Sequence, residues 1–400
     1  MYDSNIHMFY TRNILPKLVS ELATKEIIVI TGMRQVGKTT LLNHLLGLVN
    51  SDNKVLLDLE NPLHRKLFEE ENYDTVWNNL IQFGITNKEK AYIFLDEVQN
   101  LPQISKVVKY LYDHWQVKFF LTGSSSFYLK NLFPESMAGR KIVFEIFPLT
   151  FSEFLRFKDK ERGVPDIFLE QAQKKNKIAF ELYNPYYQEF LEFGGFPKVV
   201  LEENPQRKIQ ILQEIFTSYF EKDVKNLADF RNISKFRDLI LLLVPRIGSR
   251  LEINKLASEL SMTRETVYNY LAFLEQTYFI FLIPRFTKNI DRQAAGSKKL
   301  FFCDGGLANI LGKLSLGQLF EQSIFQNLQP THKLTYYIKD GGSEIDFIVD
   351  EKIALEVKLS TSRRDVENLR RRAKAVGITK HYIISLKYSD NKDTILAIDL

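Results

Sequence analysis

The chain has 400 residues, of which 45% are apolar and 26% charged, and carries a formal net charge of +5. At about 100 to 200 residues per domain this length predicts two to four domains, and the composition excludes a disordered or collagen-like chain. The single cysteine, Cys303, excludes an intramolecular disulfide and a cysteine-built zinc site, and the mild charge confines any nucleic-acid surface to a local patch.

The opening Met1-Tyr-Asp-Ser-Asn-Ile-His has no basic stretch leading into an apolar run. The longest apolar runs, such as Leu239 to Val244, fall far short of the roughly 20 residues that cross a bilayer. A cytoplasmic protein with no membrane partner is expected.

Residues 1–150 alternate short apolar runs with longer mixed segments, which predicts an α/β domain with a mainly parallel sheet. The predicted strands are Ile27–Thr31, Val55–Leu59, Ala91–Leu95, Lys118–Thr122 and Ile142–Phe147. Between the first strand and a predicted helix lies Gly32-Met-Arg-Gln-Val-Gly37-Lys38-Thr39, the pattern of a phosphate-binding loop. Its glycines let backbone N–H groups curl around a β-phosphate, Lys38 reaches the β and γ oxygens, and the Thr39 hydroxyl suits magnesium. The helix opening at Lys38-Thr39-Thr40 adds its positive N-terminal end. Gly32, Arg34, Gln35, Val36, Gly37, Lys38, Thr39 and Thr40 are therefore the expected nucleotide contacts. The plain alternative is a glycine-bearing turn with no ligand.

The third strand ends in Asp96-Glu97. There Asp96 is placed to hold magnesium through water, and Glu97 to polarise the attacking water, the plain alternative being an acidic pair that caps a strand. The fourth strand leads into Gly123-Ser124-Ser125-Ser126, where Ser124 or Thr122 is a candidate sensor of the γ-phosphate. Arg140, immediately before the fifth strand, is a candidate arginine finger acting on a neighbouring subunit in a homo-oligomer, with an ordinary surface arginine as the alternative. No Asn-Lys-x-Asp guanine motif is present, which favours ATP.

Residues 151–235 turn helical, aromatic and charged, with interruptions at Asn184-Pro185 and Gly194-Gly195-Phe196-Pro197, and read as a helical lid or connector. Within residues 236–290, Ile253–Leu260, the turn Ser261-Met-Thr263 and the helix Arg264–Gln276 have helix-turn-helix spacing. Tyr278–Ile283 and Pro284-Arg-Phe are predicted to form the strand pair of a winged helix. Thr263, Arg264, Thr266 and Asn269 lie on the early turns that would meet DNA. A purely structural interdomain module is the alternative, because that helix carries one basic residue.

Residues 291–400 are mixed α/β. Ile345, Phe347 and Val349, with Ile353, Leu355, Val357 and Leu359, form apolar faces of two strands and leave Glu344, Asp346, Glu356 and Lys358 on the other face. A three-residue turn at Asp350-Glu351-Lys352 pairs Val349 with Ile353 and sets Asp346 opposite Glu356. Opposed carboxylates are destabilising unless something cationic lies between them, so the pattern asks for a divalent metal or a lysine. With magnesium, Asp346 and Glu356 hold the metal, Lys358 orients or deprotonates water, and Glu321, on a helix beginning near Leu316, completes the shell. The basic helix Arg363–Lys374, with Arg370, Arg371 and Arg372, suits a phosphate backbone. The bland alternative is a solvated hairpin face with charges of both signs.

These stretches together resemble a prokaryotic family that joins an AAA-type P-loop ATPase to a C-terminal domain. The likeness is carried by Gly32 to Thr39, Phe94-Leu-Asp-Glu-Val-Gln99, Leu121-Thr-Gly-Ser-Ser125, Ala138-Gly-Arg140, Phe147-Pro-Leu-Thr-Phe-Ser-Glu-Phe154 and Gly194 to Pro197. The C-terminal acids resemble the restriction-endonuclease-like nuclease core, a separated acid followed by Glu-x-Lys. The resemblance implies ATP and Mg2+ as cofactors and DNA as a partner. Two functions stay open: an ATP-driven enzyme acting on DNA, or a nucleotide switch or scaffold that binds DNA or protein and has an inactive C-terminal domain.

Overall fold

The computed structural model describes residues 9–124, 139–224, 233–287, 296–339 and 342–400. The chain divides into two compact units, Met1–Phe147 with Gln276–Tyr278, and Pro148–Glu275 with Phe279–Leu400. Among the described residues no helix is long and apolar enough to cross a membrane.

The first unit is an α/β fold on five strands: β1 (Ile27–Thr31), β2 (Lys54–Asp58), β3 (Ala91–Asp96), β4 (Val117–Gly123) and β5 (Lys141–Glu145). They are ordered β2-β3-β4-β1-β5, and every pairing is parallel. The predicted strand bounds agree to within two residues. β1 and β4 are buried along their whole length, as strands covered on both faces must be. On one face Ile27, Val29, Ile93, Leu95, Phe119 and Leu121 pack with Val107, Val108 and Leu111 of α2 (Ile104–His114); α1 (Lys38–Leu48) buries Leu41, Leu42 and Leu45. Because the strands are parallel, Thr31, Asp96 and Gly123 all end at one sheet edge.

The second unit opens with helices, including α3 (Lys177–Phe193), and continues with α4 (Ile233–Leu243), α5 (Ile253–Glu259) and α6 (Arg264–Gln276). β6 (Ile280–Ile283) then pairs antiparallel with β7 (Lys299–Phe302), and Arg250 bridges to Lys299. This corrects the expected partner, Pro284-Arg285-Phe286. Pro284 offers no N–H and follows β6 too closely for the chain to reverse, so Arg285 bridges to Tyr336 instead.

After α7 (Gly305–Leu311) and α8 (Leu316–Leu328) comes a mixed sheet of β8 (Leu334–Ile338), β9 (Glu344–Val349), β10 (Ile353–Lys358), β11 (Lys380–Ser385) and β12 (Thr394–Leu396), in the order β12-β11-β10-β9-β8. A Ser315–Gln318 capping box starts α8 where the sequence predicts. On one side of the sheet Phe301 stacks on Phe325 of α8 at 4.4 Å and meets Phe347 at 5.4 Å. The other side is covered by α9 (Arg363–Ala375), whose Val366, Leu369 and Ala373 pack with Ile345, Ile348, Ala354 and Ile383.

The Gly194-Gly195 interruption has a specific cause. Asp304 is fully buried, and its carboxylate accepts hydrogen bonds from the backbone N–H of Gly195 (2.6 Å) and Leu307 (2.9 Å) and from Gln326 Nε2 (3.2 Å). Gly194 adopts φ 74°, and a Cβ there would lie 2.0 Å from Asp304 Oδ1, so only glycine fits. Burial pushes the Asp304 carboxyl up to about 6, against the opposing pull of its hydrogen bonds. A raised carboxyl pKa means that the folded state holds the proton more tightly than the unfolded one. Its contribution is complete below the ordinary value of 3.8 and is lost as pH rises through about 6. The stability advantage of wild type over Asp304→Asn should therefore shrink by on the order of 3 kcal/mol from pH 3 to pH 7. Parallel urea titrations of the two proteins check this, and a pH-independent difference would refute it.

Candidate functional site

The phosphate-type loop is shaped by its neighbours. Gly32 sits at φ 146°, and a Cβ there would lie 2.0 Å from the Ile146 carbonyl oxygen. Gln35 and Gly37 both take left-handed backbone, at φ 64° and 98°. Lys38 is buried, and its ammonium donates to the carbonyls of Gly32 (2.8 Å) and Met33 (2.9 Å). Arg34 lies 3.8 Å from Glu60, and Thr39 and Thr40 are exposed on the first turn of α1. Arg12, unmarked by any sequence motif, is also buried. It donates to Val36 O (2.9 Å) and to Phe147 O (2.7 Å), tying the loop's inner turn to the chain beyond β5.

The Thr39 hydroxyl donates to Asp96 Oδ2 at 2.7 Å, and the Thr122 hydroxyl donates to Asp96 Oδ1. Thr122 in turn accepts the Glu97 N–H at 3.0 Å. Burial raises the Asp96 pKa; the two threonine bonds oppose this, and the charges of Glu97 and Asp58 add to it. Thr39 and Asp96 thus present two hard oxygen donors beside a lysine and a helix N-terminus. That donor set suits Mg2+, which is usually bound by few protein ligands together with phosphate oxygens. Glu97 is in left-handed backbone at φ 54°, and Gln99 Nε2 donates to its carboxylate and to Ser124 Oγ (3.1 Å). Gln99 ends the Phe94–Gln99 stretch, but only the turn after β3 shows that it faces Glu97. Ser125 and Ser126 lie outside the described residues.

Arg140 is not brought to this site within its own chain. Its carbonyl accepts the Ile27 N–H at 2.8 Å, at the start of β1, the opposite end of that strand from the loop. Its guanidinium lies 3.3 Å from Asp113.

In the second unit the hairpin takes the predicted register, with Val349, Ile348 and Phe347 paired to Ile353, Ala354 and Leu355. Beyond Phe347 the strands part: β9 stays on β8 and β10 on β11. In the fork Asp346 Oδ2 accepts the Val357 N–H at 2.8 Å. Lys299 of β7, only 1% exposed, reaches in from outside the hairpin. Its ammonium lies 2.6 Å from Glu321, 2.7 Å from Glu344 and 3.7 Å from Asp346. Glu356 is paired with Lys358 at 3.0 Å and Arg372 at 2.9 Å. Glu321, Asp346, Glu356 and Lys358 are therefore gathered in one region, and the cation among the acids is a lysine that the sequence did not single out.

Two expectations change. Among the described residues there is no group of three or more His, Cys, Asp or Glu placed to hold a metal. Glu321 and Asp346 converge on the Lys299 ammonium instead of forming a three-carboxylate shell with Glu356. Nor is the acidic face a solvated one, because Ile348 and Ala354 on it are buried under α9 and Glu356 is 4% exposed. Burial would lower the Lys299 pKa, but Glu321, Asp346 and Glu344 overcome it and hold the lysine above its ordinary value. Burial raises the carboxyl of Glu356, and the Asp346 charge adds to that rise. Lys299→Met should destabilise the second unit by about 3 to 5 kcal/mol, since it leaves buried carboxylates without their cation. An unchanged urea midpoint for this variant would show that the cluster does not need Lys299.

Comparison with known proteins follows the same division. Residues 24–155 match the family model of an AAA domain, while 184–318 and 316–398 match two domains of unknown function, DUF8612 and DUF4143. An uncharacterized protein of Methanocaldococcus jannaschii is 28% identical over 339 residues, covering 82% of this chain and 73% of the relative. One from Haemophilus influenzae is 25% identical over 379 residues, covering 90% of each. Among solved structures, a Thermotoga maritima RuvB variant is 16% identical at a TM-score of 0.32, covering 69% of this chain and 91% of RuvB. In sequence, then, the region that carries the five-stranded parallel sheet is similar to AAA domains.

Proposed function

We propose that the protein binds ATP with magnesium and hydrolyses it. The observation that carries this reading is the Thr39–Asp96 hydrogen bond at the sheet edge, next to Lys38 and the N-terminus of α1. Lys38 leaves the carbonyls of Gly32 and Met33 for the β and γ oxygens, and the loop N–H groups hold the β-phosphate. Thr39 and Asp96 would hold magnesium, which would supply charge neutralisation for the phosphates when bound. Glu97 takes a proton from the attacking water, with Ser124 or Thr122 near the γ-phosphate. Arg140, far from the site of its own chain, acts on the nucleotide of a neighbouring copy in a homo-oligomer.

The second unit is read as a helical connector, a winged helix of α4, α5, α6 and the β6–β7 pair, and a restriction-endonuclease-like core. Thr263, Arg264 and Asn269 are exposed at the start of α6, as a DNA-contacting helix requires. Nucleotide state then governs how this unit engages DNA. Cleavage by Asp346, Glu356, Lys358 and Glu321 with a metal is one form of this function. The Lys299 ion pairs favour the other, a nucleotide-dependent switch whose nuclease-like core binds without cutting.

Lys38→Ala should abolish ATP turnover. Glu97→Gln should keep ATP affinity and slow turnover by about 10² to 10³. Steady-state hydrolysis with nucleotide-binding titrations checks both, and wild-type turnover in the two variants would exclude this site. Arg140→Ala should lower turnover with little loss of affinity, and wild-type specific activity should rise with protein concentration. Incubation with Mg2+ or Mn2+, ATP and single- or double-stranded DNA should leave the DNA intact. Cleavage that Glu356→Ala and Lys358→Ala both eliminate would restore the nuclease reading.

A further inference from the structure

We infer that a cleft in the second unit, lined by Arg250, Arg285 and Lys374, binds the phosphodiester backbone of nucleic acid. The inference rests on the proposal that this unit engages DNA, and it names where. The cleft has a volume of about 690 Å³, within the usual range of ligand sites, and lies where Arg285 and Tyr336 meet the end of α9. Ser297 and Tyr336 line it as well, with the Tyr336 hydroxyl bonded to the Ser297 carbonyl, and Phe286, Ile338 and Val376 add apolar surface. No carboxylate lies among the described residues that line it. Arg250 and Lys374 are exposed and Arg285 is half-buried, its guanidinium donating to the Ile338 carbonyl. Among the described residues none of the three is paired with a carboxylate, whereas the buried Lys208 and Lys299 are. Three like charges around a concave surface repel one another, and the cleft focuses their field, so the arrangement favours an anion.

A chain of phosphates suits the surroundings better than a single one. From the cleft the exposed cations Arg371, Arg370, Arg364 and Arg363 continue along α9, interrupted once by the exposed Glu367. At about 1.5 Å per residue this helix of 13 residues is about 20 Å long, which matches roughly six phosphates of one strand at ~3.4 Å each. The carboxylate cluster lies beside the cleft, because Arg250 bridges to Lys299 and Tyr336 senses the charges of both Arg250 and Glu344. Unneutralised, Glu321, Glu344, Asp346 and Glu356 would repel a polyanion there. Lys299, Lys358 and Arg372 offset most of that charge, which lets a backbone pass next to a nuclease-like core without being cut.

The test is fluorescence anisotropy of the full-length chain with labelled single-stranded DNA, duplex DNA and RNA of increasing length, at several salt concentrations. The triple variant Arg250→Ala, Arg285→Ala, Lys374→Ala should bind at least about tenfold more weakly and lose about two to three from the slope of log affinity against log salt. ATP turnover and the thermal unfolding curve should be unchanged, and the charge-conserving Arg250→Lys, Arg285→Lys, Lys374→Arg should recover most of the slope. If the triple alanine variant binds as wild type does while Arg264→Ala in α6 loses affinity, the cleft is wrong and the DNA reading survives. Wild-type protein that binds none of the nucleic acids overturns both. Affinity independent of strand length, with full displacement by inorganic tripolyphosphate, assigns the cleft to a small polyphosphate and overturns the inference.

Discussion

One ammonium group, that of Lys299, holds the C-terminal unit's chemistry in its present form. It draws Glu321 from a helix and Glu344 and Asp346 from a strand to within 4 Å of a single buried charge. Carboxylates packed this closely in low dielectric are tolerable only with a cation among them, and either a divalent metal or a lysine satisfies that need. The lysine is already there, delivered by the strand that pairs with β6. Beside it Arg372 and Lys358 flank Glu356, and α9 closes over the hairpin face that carries the acids.

The first unit obeys a different constraint. Parallel pairing sends every strand's carboxyl end to one edge, so Gly32, Asp96 and Ser124 share a neighbourhood although more than 90 positions separate the first from the last. The burial that makes this sheet stable also sets its electrostatics. Asp96 is desolvated and carries a raised pKa, and the hydroxyls of Thr39 and Thr122 supply the contacts that keep a buried acid there. Lys38 spends its charge on two loop carbonyls, neutral acceptors that make weaker hydrogen bonds than a charged partner would.

Both units therefore bury acids, with different partners around them. Asp96 is hydrogen-bonded by neutral hydroxyls, with the charges of Glu97 and Asp58 nearby, so its own charge is not neutralised by these contacts. Around Asp346 and Glu356 the neighbours are ammonium and guanidinium groups, which consume that charge. The same contrast separates an acid held by neutral hydroxyls from acids that are neutralised by cations within the chain.

Much of this was legible along the chain. The spacing from Gly32 to Thr39, the Asp96-Glu97 pair after an apolar strand, the five strands of the first sheet and the Val349–Ile353 register are all local patterns. They follow from turn chemistry and from period-two alternation, which act over a few residues. Tertiary structure alone decided the rest. Lys299 lies 22 residues from Glu321 and 47 from Asp346, Arg12 lies 24 from Val36, and the partner of β6 lies beyond Pro284. Alternation placed Ile348 and Ala354 with the charged residues but could not show that α9 would bury them there. A sequence states which charges exist and which face of an element they occupy. Which charges neutralise each other depends on distances of a few ångströms across packed elements, because Coulomb energy at low dielectric is set by separation in space and not by separation along the chain.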